Sequence, residues 1–264
     1  YTTPEQRGAA YGLRQSLDTV GAFAGPLLAI VLLMMLANDV RAVFWIAVIP
    51  ALIAVAILWF AVQEPPHLKP MQKRVVELRP RDLPKAFWVI ATIATFFTLA
   101  RFSEAFLILR GADIGLSITW TPLILVIMNV AYMLSAYPAG VLADRMPRHH
   151  LLMLGAVVLV LANLLLAGAH DAAVVLLGVA LWGLHMGLTE GVFTAMIADA
   201  APAELRGTAF GVFNLMRGLL LLMASVIAGI MWQASGPAAT FITAAVLAAF
   251  SMLLLMASRS MLRS

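Results

Sequence analysis

Long apolar stretches separated by short polar connections run through the whole chain. Eight of them are long enough to cross a hydrocarbon layer of about 30 Å, which takes roughly 17 to 25 helical residues. In lipid every backbone amide needs an internal partner, and these stretches lack the alternation of barrel strands, so they predict helices. The pattern predicts an all-α polytopic membrane protein with spans at about residues 9–36, 42–62, 86–109, 119–142, 151–169, 172–197, 208–232 and 238–257.

The composition agrees with a membrane protein and narrows the possible chemistry. Of 264 residues, 63% are hydrophobic and 11% are charged, whereas soluble domains carry about 25% charged residues. The chain has no cysteine, which excludes disulfides, thiolate metal sites and cysteine nucleophiles. The net charge of +4 lies mostly in connections and tails, so it indicates membrane topology rather than nucleic-acid binding. We expect no metal and no cofactor, with the lipid bilayer as the main surroundings.

Cations are concentrated on one side of the predicted bundle. Twelve of the 17 Lys and Arg residues fall there, whereas the other side holds Arg41 and the boundary residue Arg110. Because Lys and Arg are enriched in cytoplasmic loops, we expect both termini in the cytoplasm and the protein in the plasma (inner) membrane. The segment 64–85, rich in proline and cations, is predicted to be a cytoplasmic linker. The cation-rich side comprises Arg7, Lys69, Lys73, Arg74, Arg79, Arg81, Lys85, Arg145, Arg148, Arg206, Arg259 and Arg263.

A short internal repeat indicates a larger symmetric architecture. The segments Glu5–Gly12 and Glu204–Gly211 share five identities in eight positions at an offset of 199 residues. Each copy opens a span that is followed by one further span, and six spans separate equivalent points. A six-helix repeat keeps both copies in the same orientation, as in parallel transporter repeats. We therefore expect eight helices of a twelve-helix protein, with residues 1–63 ending the N-terminal bundle, 64–85 linking, and 86–264 forming the C-terminal bundle.

Two motifs connect the chain to a known family. Residues 140–149, GVLADRMPRH, are similar to the loop signature G-x-L-x-D-R-x-G-R-[KR] of the major facilitator superfamily, although Pro147 and His149 replace a glycine and a cation. Residues 21–26, GAFAGP, resemble the core of a Gly-Pro motif found in many proton-coupled exporters of that family. The resemblance implies a secondary transporter of small solutes that works by alternating access. It also implies proton coupling as an antiporter, with export favoured over import; we expect a monomer.

Ionisable residues mark the spans that should border a pathway, because a charge at the bilayer centre costs at least ~2.5 kcal/mol. Glu190 has no cation three or four positions away in its own helix, so either a partner comes from elsewhere or it is a desolvated proton carrier. Arg101 and Glu104 either neutralise each other or form a substrate or proton site. His185 is either a proton relay or a hydrogen-bonded core imidazole. The candidate pathway residues are Arg101, Glu104, Asn129, Tyr132, His185 and Glu190.

Two further groups are expected to govern conformation and packing. Under the family resemblance, Asp144 meets the helix start in the segment Glu5–Gly12 and forms a cytoplasmic latch between the halves. Arg14 and Asp18 are four apart and suit a local ion pair, and Asp18 aligns with Arg217 in the repeat. The latch residues are Gly8, Arg14, Asp18, Gly140, Asp144, Arg145, Arg148 and Arg217. The packing residues, small or kink-forming, are Gly21, Gly25, Pro26, Gly183, Gly187 and Gly191.

Two alternatives to a transporter remain at the level of sequence. An intramembrane enzyme would need a metal site at His185 and Glu190, but their spacing differs from H-E-x-x-H, so we do not expect an enzyme. The other alternative is a truncated membrane fragment that does not transport. A cavity of mixed charge is compatible with drugs, sugars, organic anions or peptides, so the sequence does not select a substrate.

Overall fold

The computed structural model describes residues 7–61 and 82–257, and these two ranges are helical with no strand. The all-α prediction is therefore confirmed. A short 3₁₀ turn, Ala203–Leu205, precedes the last helix. The helices are α1 (Arg7–Met35), α2 (Val40–Ala61), α3 (Lys85–Leu99), α4 (Ala105–Asp113), α5 (Leu123–Arg145), α6 (Arg148–Ala167), α7 (Ala172–Ala200) and α8 (Arg206–Ala257).

All eight predicted spans lie on helices, but two of them differ in detail. The third span is not continuous, because α3 ends at Leu99 and α4 begins only at Ala105. The seventh and eighth spans are joined end to end in α8, whose helical backbone is interrupted at Gly236 with φ 84°. Glycine adopts positive φ without a steric penalty, and Pro237 follows with no N–H to donate. We refer to residues 206–235 and 237–257 as the first and second arms of α8.

The lengths of the helices suit a membrane. Within the two described ranges, six helices are long and apolar enough to span a bilayer, with α8 counted once. The 52 residues of α8 would extend about 78 Å if straight, more than twice the ~30 Å of a hydrocarbon core. The turn at Gly236 therefore gives two crossings. The chain is an integral membrane protein.

Salt bridges and main-chain bonds define the two ends of the bundle. At the end that we call the Arg148 end, Arg148 Nη1 bonds Asp199 Oδ2 at 2.6 Å and so joins α6 to the end of α7. At the opposite end, the Arg110 end, the buried Arg110 donates to Leu166 O at 3.0 Å and to Ala169 O at 2.5 Å. These carbonyls end α6, where a cation is favourable.

The most buried helix is α7, which packs against α5 on one side and α6 on the other. Its small residues permit a close approach to α5. A Cβ added at Gly183 would lie 2.1 Å from Met128 O, and one added at Gly187 would lie 2.0 Å from Ser135 Oγ. Gly191 is buried on the same helix.

Helix α1 packs along α5, and α2 contacts the rest of the described chain mainly through α1. Asn129 Nδ2 of α5 donates to Ala22 O at 3.3 Å, and Thr119 Oγ1 donates to Asn38 Oδ1 at 2.8 Å. The expected packing at Gly21 and Gly25 is not present among the described residues, because a Cβ at either position meets nothing within 4 Å. The exposed Gly21 and Gly25 lie on the other side of α1, whereas the half-buried Pro26 lies on the buried side of the helix with Ile30 and Leu33.

The spans that lack ionisable residues are exposed to different degrees. Helix α2 buries none of the side chains that the structure describes, and Trp59 is 82% exposed. By contrast, α6 exposes Leu161 but buries Leu159 completely. Although its span lacks ionisable residues, α6 does not face lipid all round, because one side packs on α7 and α8.

Candidate functional site

The gap between α3 and α4 places Arg101 and Glu104 outside regular helix. In a membrane, backbone groups that leave a helix must find partners within the protein. The Ser103 N–H donates to Ser225 Oγ at 3.2 Å, and Ser225 Oγ in turn donates to Leu221 O at 2.8 Å. The first arm of α8 therefore stabilises the break. The expectation that Arg101 and Glu104 lie on one helical face is wrong, because residues 100–104 are not helical.

Arg101, Glu190 and Arg217 form a single charge cluster, which we call the arginine–glutamate cluster. Arg101 Nη1 lies 2.5 Å from Glu190 Oε1, and Arg217 Nη2 bonds the same oxygen. The side chains of Arg101 and Glu190 are 13% and 11% exposed. Glu190 thus has two cationic partners on other elements, which is the first of the two alternatives that its sequence left open, and it is not an unpaired acid. Sequence spacing missed these partners because they come from the α3–α4 break and from α8.

The cluster lies near the middle of the bundle. Glu190 precedes the end of α7 at Ala200 by ten residues, or about 15 Å along the helix. Arg217 follows the start of α8 at Arg206 by eleven residues, or about 16 Å. Both distances are about half of a ~30 Å hydrocarbon layer. Arg217 was expected in a latch at the end of the bundle; the structure places it at mid-depth instead, because it lies three turns into α8.

A cavity of about 360 Å³ opens beside the cluster. One part of its wall is polar, and another is aromatic. Sequence reasoning found the charged residues and His185 but missed the threonines and phenylalanines, because these residue types are ordinary in apolar helices. The cavity is lined by Ala94, Phe97, Thr98, Arg101, His185, Thr189, Glu190, Phe193, Phe213 and Arg217.

His185 is fixed by α6 and by an aromatic neighbour. Its Nδ1 lies 3.1 Å from Gly155 O, and because a carbonyl only accepts, this nitrogen carries the proton. The ring stacks on Phe97 with centroids 6.2 Å apart and planes at 7°. A Cβ at Gly155 would lie 2.3 Å from the Thr189 side chain, so glycine is needed at this position. The imidazole is hydrogen-bonded and lines the cavity at the same time.

The other three pathway candidates lie around the cluster in different ways. Tyr132 is buried at 5% exposure and is close enough to Glu190 and Arg101 for an electrostatic interaction. Glu104 is exposed at the start of α4, and among the described residues no ion pair joins it to Arg101. Asn129 donates to Leu125 O at 2.8 Å and to Ala22 O, so it contacts α1 instead of lining the cavity.

Most latch candidates lie at the Arg148 end, whereas Asp18 lies eleven residues into α1. Arg148 bonds Asp199 of α7, within the same bundle. Gly140 is buried, Asp144 is half-buried, and Arg145 and Asp18 are exposed. Gly8 lies in the first turns of α1. The side chain of Arg14, like residues 5 and 6 of the repeat segment, lies outside the described part of the chain.

Comparisons with known proteins agree with this architecture. The sequence profile described as "Major Facilitator Superfamily" matches residues 1–223 and 105–261. An uncharacterized MFS-type transporter of Methanocaldococcus jannaschii is 29% identical over 260 residues, which are 96% of this chain and 64% of that protein. An uncharacterized protein of Mycobacterium tuberculosis is 25% identical over 214 residues, covering 78% of this chain and 52% of that protein.

A glucose transporter of Staphylococcus epidermidis is 29% identical over 115 residues, covering 44% of this chain and 26% of that protein. The chain thus spans between about half and two thirds of the length of the first two relatives. The profile match covers well over half of the chain and coincides with its helices. This chain belongs to the Major Facilitator Superfamily.

Proposed function

We propose that the chain is part of a transmembrane transporter that moves small solutes by alternating access, with the cavity beside the arginine–glutamate cluster as its solute site. The observation that carries the proposal is the position of Arg101, Glu190 and Arg217 at mid-depth beside a cavity of about 360 Å³. Solute sites of transporters lie near the bilayer midplane, where helices are discontinuous. The α3–α4 break contributes Arg101 to the cluster.

The cost of buried charge supports a functional role over a structural one. Each ionisable group near the bilayer centre costs about 2.5–3.5 kcal/mol on insertion scales. Apolar side chains would pack the same helices without that cost, as they do on the other faces of α7. Charges at this depth are retained where they bind something that crosses the membrane.

Alternating access requires two bundles that move relative to each other. The contact between α1 and α5 is the boundary that we assign to this motion, with residues 1–63 in one half and 86–264 in the other. Both termini and the linker face the cytoplasm of the plasma (inner) membrane, which follows the cation asymmetry. Asp144 then lies at the cytoplasmic boundary, where it acts as a latch that favours closure of that side by about 1 kcal/mol.

Proton coupling is assigned to Glu104 as the first candidate and Glu190 as the second. Protonating Glu190 would leave two guanidinium groups without their partner, whereas Glu104 is exposed and bears no ion pair to Arg101 in the described part of the chain. Export in exchange for protons follows the resemblance of residues 21–26 to an exporter motif.

Transport into proteoliposomes tests the proposal. The protein encoded by the complete reading frame is purified and reconstituted. Uptake of a panel of solutes is then measured with and without a proton gradient. The panel includes glucose, carboxylates, organic cations and dipeptides. We expect at least one solute to accumulate, and we expect Arg217→Gln to reduce its transport rate at least tenfold. Arg41→Gln is the matched control, because Arg41 is exposed at the start of α2 and far from the cavity. Equal rates in both variants would contradict the assignment of the cavity.

A further inference from the structure

The two arginines of the cluster use only a small part of their hydrogen-bonding capacity. Arg101 Nη1 and Arg217 Nη2 both bond the single oxygen Oε1 of Glu190. A guanidinium has five N–H donors, and in the described part of the chain no other hydrogen bond to the side chain of either arginine is present. Most donors of both groups therefore remain available to a ligand in the cavity.

The charges that line the cavity favour an anion. Two guanidinium groups face one carboxylate, which leaves one positive charge in excess among Arg101, Glu190 and Arg217. His185 lines the same cavity and donates its Nδ1–H to Gly155, so it does not offset that charge. Glu104 interacts electrostatically with the cluster but does not line the cavity, and it is exposed at the start of α4, where solvent screens its charge. Charge-assisted bonds from guanidinium to carboxylate are strong and often bidentate.

The remaining wall of the cavity supplies an apolar surface. Phe97 and Phe193 pack edge to face with centroids 5.3 Å apart, and Phe213 faces the cavity from the first arm of α8. Such a site suits a compact solute with one charged end and one apolar end.

We propose that Arg101 and Arg217 bind the carboxylate group of a small organic anion, whose apolar body rests on Phe97, Phe193 and Phe213. This inference rests on the proposed transport function and names its substrate class. In the empty site the carboxylate of Glu190 pairs with both arginines. The incoming carboxylate takes the N–H groups that Glu190 does not bind, and it competes with Glu190 for the positive charge of the two arginines.

Equilibrium binding to the complete protein in nanodiscs provides the test. Benzoate is the probe, because it joins a carboxylate to an aromatic ring, and benzyl alcohol and benzylamine are its neutral and cationic counterparts. We expect benzoate to bind at least about tenfold more tightly than either counterpart. Arg101→Gln and Arg217→Gln should each weaken benzoate binding at least about tenfold. Glu190→Gln should strengthen it several-fold by removing the internal competitor, and Arg41→Gln should leave it unchanged.

The outcomes separate this inference from the proposed function. Benzoate binding that equals benzyl alcohol binding in the unsubstituted protein would overturn the inference, even if an arginine variant fails to fold. Loss of benzoate binding in Glu190→Gln would also overturn it, because the carboxylate would then be part of the site and not a competitor. Transport of a neutral solute without benzoate binding leaves the transporter proposal intact and removes the anion site. Selective benzoate binding without transport of any solute would support the anion site and contradict the transporter proposal.

Discussion

Replacing Gly183 by alanine perturbs the closest contact that a glycine of α7 makes with the main chain of α5. The added Cβ would lie 2.1 Å from Met128 O and 2.9 Å from the carbonyl carbon of the same residue. Carbon contacts become favourable at about 3.5 Å, so the methyl group overlaps deeply with main-chain atoms. A main-chain obstacle does not rotate away as a side chain does. The two helices must separate instead.

The expected magnitude follows from two opposing effects. Overpacking a close-packed contact costs about 1–3 kcal/mol, whereas exchanging glycine for alanine within a helix gains up to about 1 kcal/mol. We expect a net destabilisation of about 1–2 kcal/mol for Gly183→Ala. Gly21→Ala is a matched control on α1, because nothing lies within 4 Å of its added Cβ. The control keeps the helix gain alone and should be neutral or slightly stabilising.

Unfolding of the purified protein in mixed micelles, followed by tryptophan fluorescence across an SDS titration, measures both variants. Trp182 is fully buried one residue from the substituted position and reports loss of the α5–α7 contact. Gly183→Ala should shift the midpoint towards lower SDS, and Gly21→Ala should not. Equal midpoints for the two variants would refute the reasoning that a main-chain contact makes glycine necessary at position 183.

Three further predictions concern topology, coupling and the helix break. Because the chain lacks cysteine, single cysteines can be introduced at Arg74 and Ala234 and labelled with an impermeant thiol reagent added outside cells. Ala234→Cys should react and Arg74→Cys should not. The opposite pattern would mean that the topology is inverted. Glu104→Gln should abolish the response of solute transport to a proton gradient, measured in proteoliposomes, whereas Glu190→Gln should retain it; the reverse result assigns coupling to Glu190. Ser225→Ala removes the acceptor for a main-chain N–H at the α3–α4 break. The substitution should lower the free energy of unfolding, measured by SDS titration, by about 0.5–1.5 kcal/mol. An unchanged free energy would show that the break does not depend on this hydroxyl.

The helices were predictable from hydropathy because an apolar run long enough to cross the bilayer must bond its own backbone, and it does so as a helix. The turn between the arms of α8 was also visible, since Gly236 and Pro237 stand between two apolar runs. The α3–α4 break was not visible. Residues 86–109 contain neither glycine nor proline, and the acceptor of the Ser103 N–H at the break is Ser225, which is more than one hundred positions away in the chain.

Single residues of the candidate site could be predicted, but their partners could not. The cost of charge in lipid identifies Glu190 and Arg101 as residues that must point into the protein. The bond between Glu190 and Arg217 depends on how α7 and α8 are rotated about their axes, and hydropathy does not fix that rotation. The aromatic wall at Phe193 and Phe213 was missed for a related reason. An apolar side chain gives the same hydropathy pattern whether it faces lipid, the protein core or a cavity.

Several polar side chains of this bundle bind main-chain carbonyls of another helix or turn: Asn129 binds Ala22 O, and Arg110 binds Leu166 O and Ala169 O. A carbonyl is present whatever side chain the residue bears. Positions 22, 166 and 169 are therefore free to drift during evolution without loss of these bonds, and no compensating exchange elsewhere is required. In the arginine–glutamate cluster both partners of every bond are side chains. A substitution at one member therefore removes a bonding partner of another member. Divergence among homologues should accordingly be coupled within the cluster and independent at the carbonyl contacts.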